Sequence, residues 1–485
     1  MPKSDSSAGV FFIFGIITSI ILSCYVALPA QSGFSPSGAP FIRNYPPDEY
    51  GAHNQNWAIA QDRRGVMYFG NSRGLLEYDG ASWRLIQPGN VKIIRSMAAS
   101  SDGRIFGGGY GEIGYLAPDS SRQLQFVSLL PHLDEAYRDF KDVWQTLATS
   151  EGIFFVTTRY IFRWDGQKMR TWPTKTAFHF GFAVHDRFYV QESETGLMQI
   201  VSDSLLLAPL GEQWREERIS AMLPFSRQGN KRILVATREN GLFLYDDLSI
   251  ERFVTGADEL LINSQVSCAQ ALENGQFAFG TMQAGVLVID ETGKLRDHLH
   301  KPTGLQDDAV LSLYEDRQRA LWTGLQVGIA RAETGSPFRY FKEREGIKGS
   351  VWEIVRHQGR LYFATVMGVF YLDENTGRFK PVDGVSPQCW ALLPFGKTLL
   401  ASAFDGVYEI NGNQGQRISD GFVFSLHRSR QDPRRVFAGM RDGVKTLYFD
   451  GGTWREEGRI EGMNQEVRHF YETPEGQLWL TDYFS

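Results

Sequence analysis

Tyr68 to Gly80 reads YFGNSRGLLEYDG: a short aromatic strand, a few polar residues, a glycine, a second apolar strand and an Asp-Gly turn. The phrase returns as ILVATRENGLFLYDD at Ile233 to Asp247, FAFGTMQAGVLVIDETG at Phe277 to Gly293, and LWTGLQVGIARAETG from Leu321. Further copies are LYFATVMGVFYLDENTG from Leu361, LLASAFDGVYEINGNQG from Leu399 and VFAGMRDGVKTLYFDGG from Val436. Two degenerate copies start at Phe154 and Tyr189. The central positions are Gly74, Gly111, Tyr160, Gly196, Gly241, Gly285, Gly328, Gly368, Gly406 and Gly443, so 369 residues are covered in nine steps of 41.

Each repeat also carries an inner strand before the phrase, such as Trp57 to Gln61, and an outer strand after it, such as Ser82 to Gln87. Four antiparallel strands at this period predict an all-β chain of β-propeller blades, because each small sheet buries its faces only against its neighbours around an axis. Helical periodicity is nearly absent, which argues against a solenoid of helix pairs.

A longer echo sets the blade count. Pro40-Phe41-Ile-Arg-Asn-Tyr, leading to Trp57-Ala-Ile59, returns as Pro337-Phe338-Arg-Tyr-Phe, leading to Trp352-Glu-Ile354. Trp57 and Trp352 lie 295 residues apart, or seven steps of about 42. The expectation is one complete seven-bladed ring over residues 41–349 and the first three to four blades of a second over 350–485, ending in half a blade, as a truncated chain would.

Composition agrees. The 485 residues include 50 Gly, 34 Phe, 19 Tyr and 11 Trp, types that suit turns and strands. Lys and Arg number 50 against 56 Asp and Glu, a net charge of −6 with no long basic run, which speaks against a nucleic-acid partner. Val10 to Leu28 is uncharged and apolar, follows Lys3 and precedes Pro29 and Ala30; it reads as a signal peptide over residues 1–30, or else as a membrane anchor or, through Cys24, a lipoprotein leader. Export to the periplasm follows from each. Cys268 and Cys389 then remain, as buried thiols and not a disulfide framework.

Motifs for chemistry are sparse. Gly109-x-Gly111-x-x-Gly114 matches a dinucleotide fingerprint in letters, but Tyr115 and Leu116 continue a strand where that motif requires a helix. His298 and His300 alternate on an outer strand without a third ligand, so no metal and no cofactor are expected. Trp57, Trp144, Trp352 and Trp390 hold one place near the start of four inner strands. Such rings are either wedged between blades or line a concave mouth, where aromatic faces suit sugars. Leu311 and Arg468 hold the place elsewhere, so the ring is not uniformly aromatic.

The segment NWAIAQDRRGVMYFGNSRGLLEYDGASW (Asn56 to Trp83), the segment GGGYGEIGYL (Gly107 to Leu116) and the recurring phrase together resemble the two-component regulator propeller family. That resemblance implies the periplasmic sensor region of a signalling receptor, binding a small molecule or an oligosaccharide. It also implies a homodimer and, in full-length relatives, a transmembrane helix and an output module such as a histidine kinase. No output module is present, so the expectation is a non-catalytic sensor; a secreted propeller enzyme acting on polysaccharide and an interaction scaffold are the alternatives. An enzyme would need paired carboxylates at the mouth.

Overall fold

The computed structural model describes residues 38–481, apart from 88–92, 228, 342–345 and 374–375. The signal peptide or anchor expected at residues 1–30 lies outside the described residues. Among them, no helix is long and apolar enough to cross a membrane.

Among the described residues, ten antiparallel sheets of four strands and one of two account for nearly all regular structure. Their inner strands are Asn56–Gln61, Ile94–Ala99, Val143–Thr149, Phe178–Val184, Ile219–Arg227, Val266–Ala271 and Val310–Glu315 for the first seven blades. Each inner strand packs on the next, and the seventh packs back on the first, so the circle is closed. Four further inner strands, Val351–His357, Cys389–Phe395, Val423–Arg428 and His469–Glu472, follow in an open arc. The fold is an all-β propeller with one complete seven-bladed ring and part of a second.

The recurring glycine has a steric reason. At Gly285 and Gly406 the backbone has φ of +71° and +158°, and a Cβ would stand 2.0 Å from the carbonyl oxygen of Leu299 or Ser419 in the outer strand. Only hydrogen fits where the fourth strand comes this close. Blade cores then form between neighbouring sheets. Phe154, Val156 and Ile161 of the third blade meet Phe188 and Val190 of the fourth, with the Phe154 and Phe188 rings stacked 4.2 Å apart.

One expectation changes. The repeat predicts that the seventh blade supplies its own outer strand, yet that place is filled by Ile42–Tyr45 from before the first blade, paired with Ile329–Ala332. This closing strand holds the ends of the ring together through backbone hydrogen bonds. Tyr45, 2% exposed, stacks on Trp322 and meets Tyr78 and Trp83 edge-on, so strands on both sides of the seam share one aromatic cluster.

Candidate functional site

The ten inner strands of the four-stranded blades share a defect. Each slips register against its neighbour immediately after its first residue, at Asn56/Ala58, Ile94/Ser96, Val143/Gln145, Phe178/Gly181, Ile219/Ala221, Val266/Cys268, Val310/Ser312, Val351/Glu353, Cys389/Leu392 and Val423/Ser425. Such a bulge bends the strand and re-aims the extra side chain. It also frees a carbonyl, which must find another donor. Serines supply it across blades: Ser96 donates to the Val143 carbonyl at 2.9 Å, Ser220 to Val266 at 2.6 Å, Ser267 to Val310 at 2.6 Å and Ser312 to Asn56 at 3.3 Å. The last of these crosses the seam.

The bulged positions of the ring begin Trp57, Arg95, Trp144 and His179, and continue with Ser220, Ser267 and Leu311. They form the mouth at the start of the inner strands, and its two halves differ. Ser267 and Ser220 spend their hydroxyls on the next blade. On the other half the Arg95 guanidinium lies 4.1 Å from the Trp57 ring and 5.4 Å from the Trp144 ring, a cation between two π faces. Asp142 fixes it from the side, accepting from Arg95 Nε at 2.9 Å. Trp57 is held in turn by donating from Nε1 to Ser72 Oγ at 2.9 Å. A partly desolvated contact of this type contributes about 0.5–2 kcal/mol, so Arg95 orders both rings before anything binds. Trp144 stays 37% exposed, and Tyr110, also exposed, is bridged through its backbone to Asp142.

His179 closes this half, with Nε2 3.1 Å from Ser193 Oγ. Burial and the nearby Arg218 charge hold its imidazole below the ordinary histidine range, so it is neutral at pH 7 and offers a hydrogen-bonding ring without charge.

Trp390 and Trp352 belong to the arc. Trp390 stacks on Phe422 at 5.0 Å and meets Phe424 edge-on, Phe404 packs on Phe422, and the Arg468 guanidinium stands 3.5 Å over Phe424. Trp352, 57% exposed, is on the leading inner strand of the arc. None of the four tryptophans is a buried wedge. Trp57 and Trp144 are brought into one assembly; Trp352 and Trp390 lie in a different part of the molecule. Arg95 and Asp142 are the members that selecting for aromatic residues on inner strands misses.

The other motifs fall in structural settings. The Gly109–Gly114 segment joins Ile105–Gly109 to Glu112–Pro118 in a hairpin, with no helix after it. His298 and His300 stack 3.9 Å apart, and His298 Nε2 meets the Ala284 carbonyl at 2.8 Å. Among the described residues no three His, Cys, Asp or Glu side chains are gathered for a metal. Burial raises the Cys268 and Cys389 thiols to about 12, so both stay protonated and unreactive.

No protein-family model and no curated protein matches the sequence. Solved structures do. A Staphylococcus aureus virginiamycin B lyase is 11% identical with a TM-score of 0.44, covering 60% of this chain and 98% of its own. The extracellular domain of a second proposed hybrid two-component system of B. thetaiotaomicron is 13% identical with a TM-score of 0.47, over 92% of this chain and 65% of that one. The extracellular domain of another proposed hybrid two-component system from B. thetaiotaomicron matches with a TM-score of 0.64 at 14% identity, over 92% of this chain. This chain spans 64% of that domain's length. The likeness read from the repeats therefore extends to the fold: the chain has the propeller architecture of that extracellular domain.

Proposed function

We propose that this chain is the ligand-sensing propeller region of a periplasmic receptor of the two-component regulator propeller kind, and that it binds an oligosaccharide without transforming it. The observation that carries the reading is the Trp57–Arg95–Trp144 assembly, three side chains projected by equivalent bulges onto one half of a closed mouth. The exposed Trp144 face suits the C–H face of a pyranose, while Arg95, Asp142 and the neutral His179 are placed to meet hydroxyls. The similarity in fold to an extracellular domain of a two-component system, together with the leader-like N-terminus, supports the periplasmic assignment. In a full receptor the ring (41–349) and the second propeller (from 350) would act as one sensing region, a homodimer coupled to an output across the membrane.

Calorimetric titration of a panel of neutral oligosaccharides tests the reading. One class is expected to bind, and Trp144→Ala is expected to weaken it by about 1–3 kcal/mol, the usual size of one stacking anchor. Arg95→Ala, which leaves two unordered rings, is expected to do the same. Binding that persists in both variants, or none to any glycan, removes the mouth as the site. Turnover of a bound glycan would favour the enzyme alternative instead.

A further inference from the structure

The closing strand borders a groove of about 670 Å³ on the far side of the blades from that mouth, at the ends of the inner strands, where Gln61 and Asp316 lie. Its walls are Arg43 from the closing strand, Arg64 from the first blade, and Arg317 and Arg331 from the seventh; Tyr45 and Trp322 are among its aromatic residues. Arg43 and Arg331 are direct cross-strand partners. Two like charges opposite one another weaken a strand pair, and here they sit in the pair that closes the ring.

The local carboxylates do not remove the conflict evenly. Asp316 is engaged by the Gln318 and Ala320 amides, by Trp322 Nε1 at 2.8 Å and by Arg331 Nε at 3.2 Å, while Glu333 and the Gln318 side chain, at 2.9 Å, take the other two nitrogens of Arg331, so that its fork is filled. Asp62 holds Arg64 at 2.7 Å, and Asp79 caps the amides of its own turn. Arg43 lies with its face over the Tyr45 ring at 4.7 Å, and its one ion pair among the described residues is to Glu49, at 3.5 Å and exposed, a contact worth little in water. Arg317 donates to the Arg63 carbonyl and, among the described residues, makes no ion pair. Two guanidinium groups on opposite sides of the seam thus face the groove with their forks largely unused. That geometry matches an oxyanion, which guanidinium binds in a two-pronged manner.

We propose that this seam groove binds a multiply charged oxyanion, carboxylate or sulfate, between Arg43 and Arg317, and that occupancy locks the ring by tying the closing strand to the seventh blade and offsetting the Arg43 charge that stands opposite Arg331. The site is independent of the glycan reading, so the Trp144→Ala variant should keep it. Because the ligand would touch both sides of the seam, its binding should suppress local opening of the closing strand and not merely raise overall stability.

Hydrogen exchange of the full chain in citrate or in sulfate, against sodium chloride of matched ionic strength, tests this. Exchange of the Ile42–Tyr45 amides is expected to slow about a hundredfold at about a hundred times the Kd. Citrate alone acting identifies carboxylate as the ligand group, and sulfate alone identifies sulfate. Arg43→Gln should slow exchange of the same amides without any anion, since the like-charge pair is gone, and should abolish the response. Arg317→Gln, at an exposed side chain, should abolish the response while leaving the anion-free rate unchanged. The proposal is overturned if sodium chloride protects as well as citrate and sulfate do, or if protection survives in both variants.

Discussion

The ring and the arc are written in the same repeat and differ in one respect: the ends of the ring meet. Ile59 and Ile354 hold equivalent places on leading inner strands, yet Ile59 is 7% exposed and Ile354 57%. Ile59 packs with Trp322, from the blade that closes the circle behind it; behind Ile354 no blade stands among the described residues. The echoed N-terminal phrases diverge in the same way. Ile42–Tyr45 completes the seventh blade, whereas the backbone pairing of Arg339–Phe341 among the described residues is the single bridge from Tyr340 to Ala39. What a residue contributes here is set by whether its sheet has a neighbour, and not by its type.

The sharpest way to break the comparison is at the seam. Tyr45→Ala removes a ring packed on Trp322, Tyr78 and Trp83, and should cost about 3–5 kcal/mol, the range for emptying a large aromatic site. Peptide-resolved hydrogen exchange should show that loss across the ring while the arc, from Val351 onward, keeps its protection. Equal loss in both would mean that they unfold as one unit and that closure is not the distinction.

A smaller effect is expected from the matched pair. Ile59→Ala should cost about 2–4 kcal/mol, and Ile354→Ala under about 0.5 kcal/mol, because only the first empties a packed site. Urea unfolding of both variants measures the gap. If Ile354→Ala were as costly as Ile59→Ala, something would be covering the leading face of the arc in solution.

How far the sequence reveals this can be judged residue by residue. The blades are legible because the demand for glycine under the outer strand is local, and recurs every 41 residues. The closing strand is not: the echo between Pro40-Phe41 and Pro337-Phe338 is visible, but pairing Ile42 with Ala332 joins residues about 290 apart, and no local rule signals it. The bulges are equally hidden, since a register slip belongs to two strands together. They set Trp57 and Trp144 at bulges, where neither side chain is buried between blades. Arg95 could have been found by aligning Ile94-Arg95 with Asn56-Trp57 and Val143-Trp144; selecting for aromatic type passes over the cation that orders the rings.

The same alignment sets up the finest comparison. Gln145 and Glu353 each follow the bulged tryptophan, and each reaches across to an amide in the next blade: Gln145 Oε1 accepts from Gly181 N–H at 2.8 Å and Glu353 Oε2 from Leu392 N–H at 2.5 Å. The ring uses a neutral amide where the arc uses a carboxyl. Burial pushes the Glu353 carboxyl above its ordinary value of 4.5, and the Leu392 hydrogen bond opposes this only in part. A carboxyl raised in the folded state contributes its stability in full below 4.5 and loses it as pH rises through the folded value. Glu353→Gln has no proton to lose, so it should raise the melting temperature of the arc at pH 7 by about 2 °C or less and have little effect at pH 4. Gln145→Glu should do the reverse in the ring, lowering stability as pH rises. Calorimetry at the two pH values decides the matter: a Glu353→Gln effect of equal size at both would show that hydrogen-bond geometry, and not ionisation, separates the two blades.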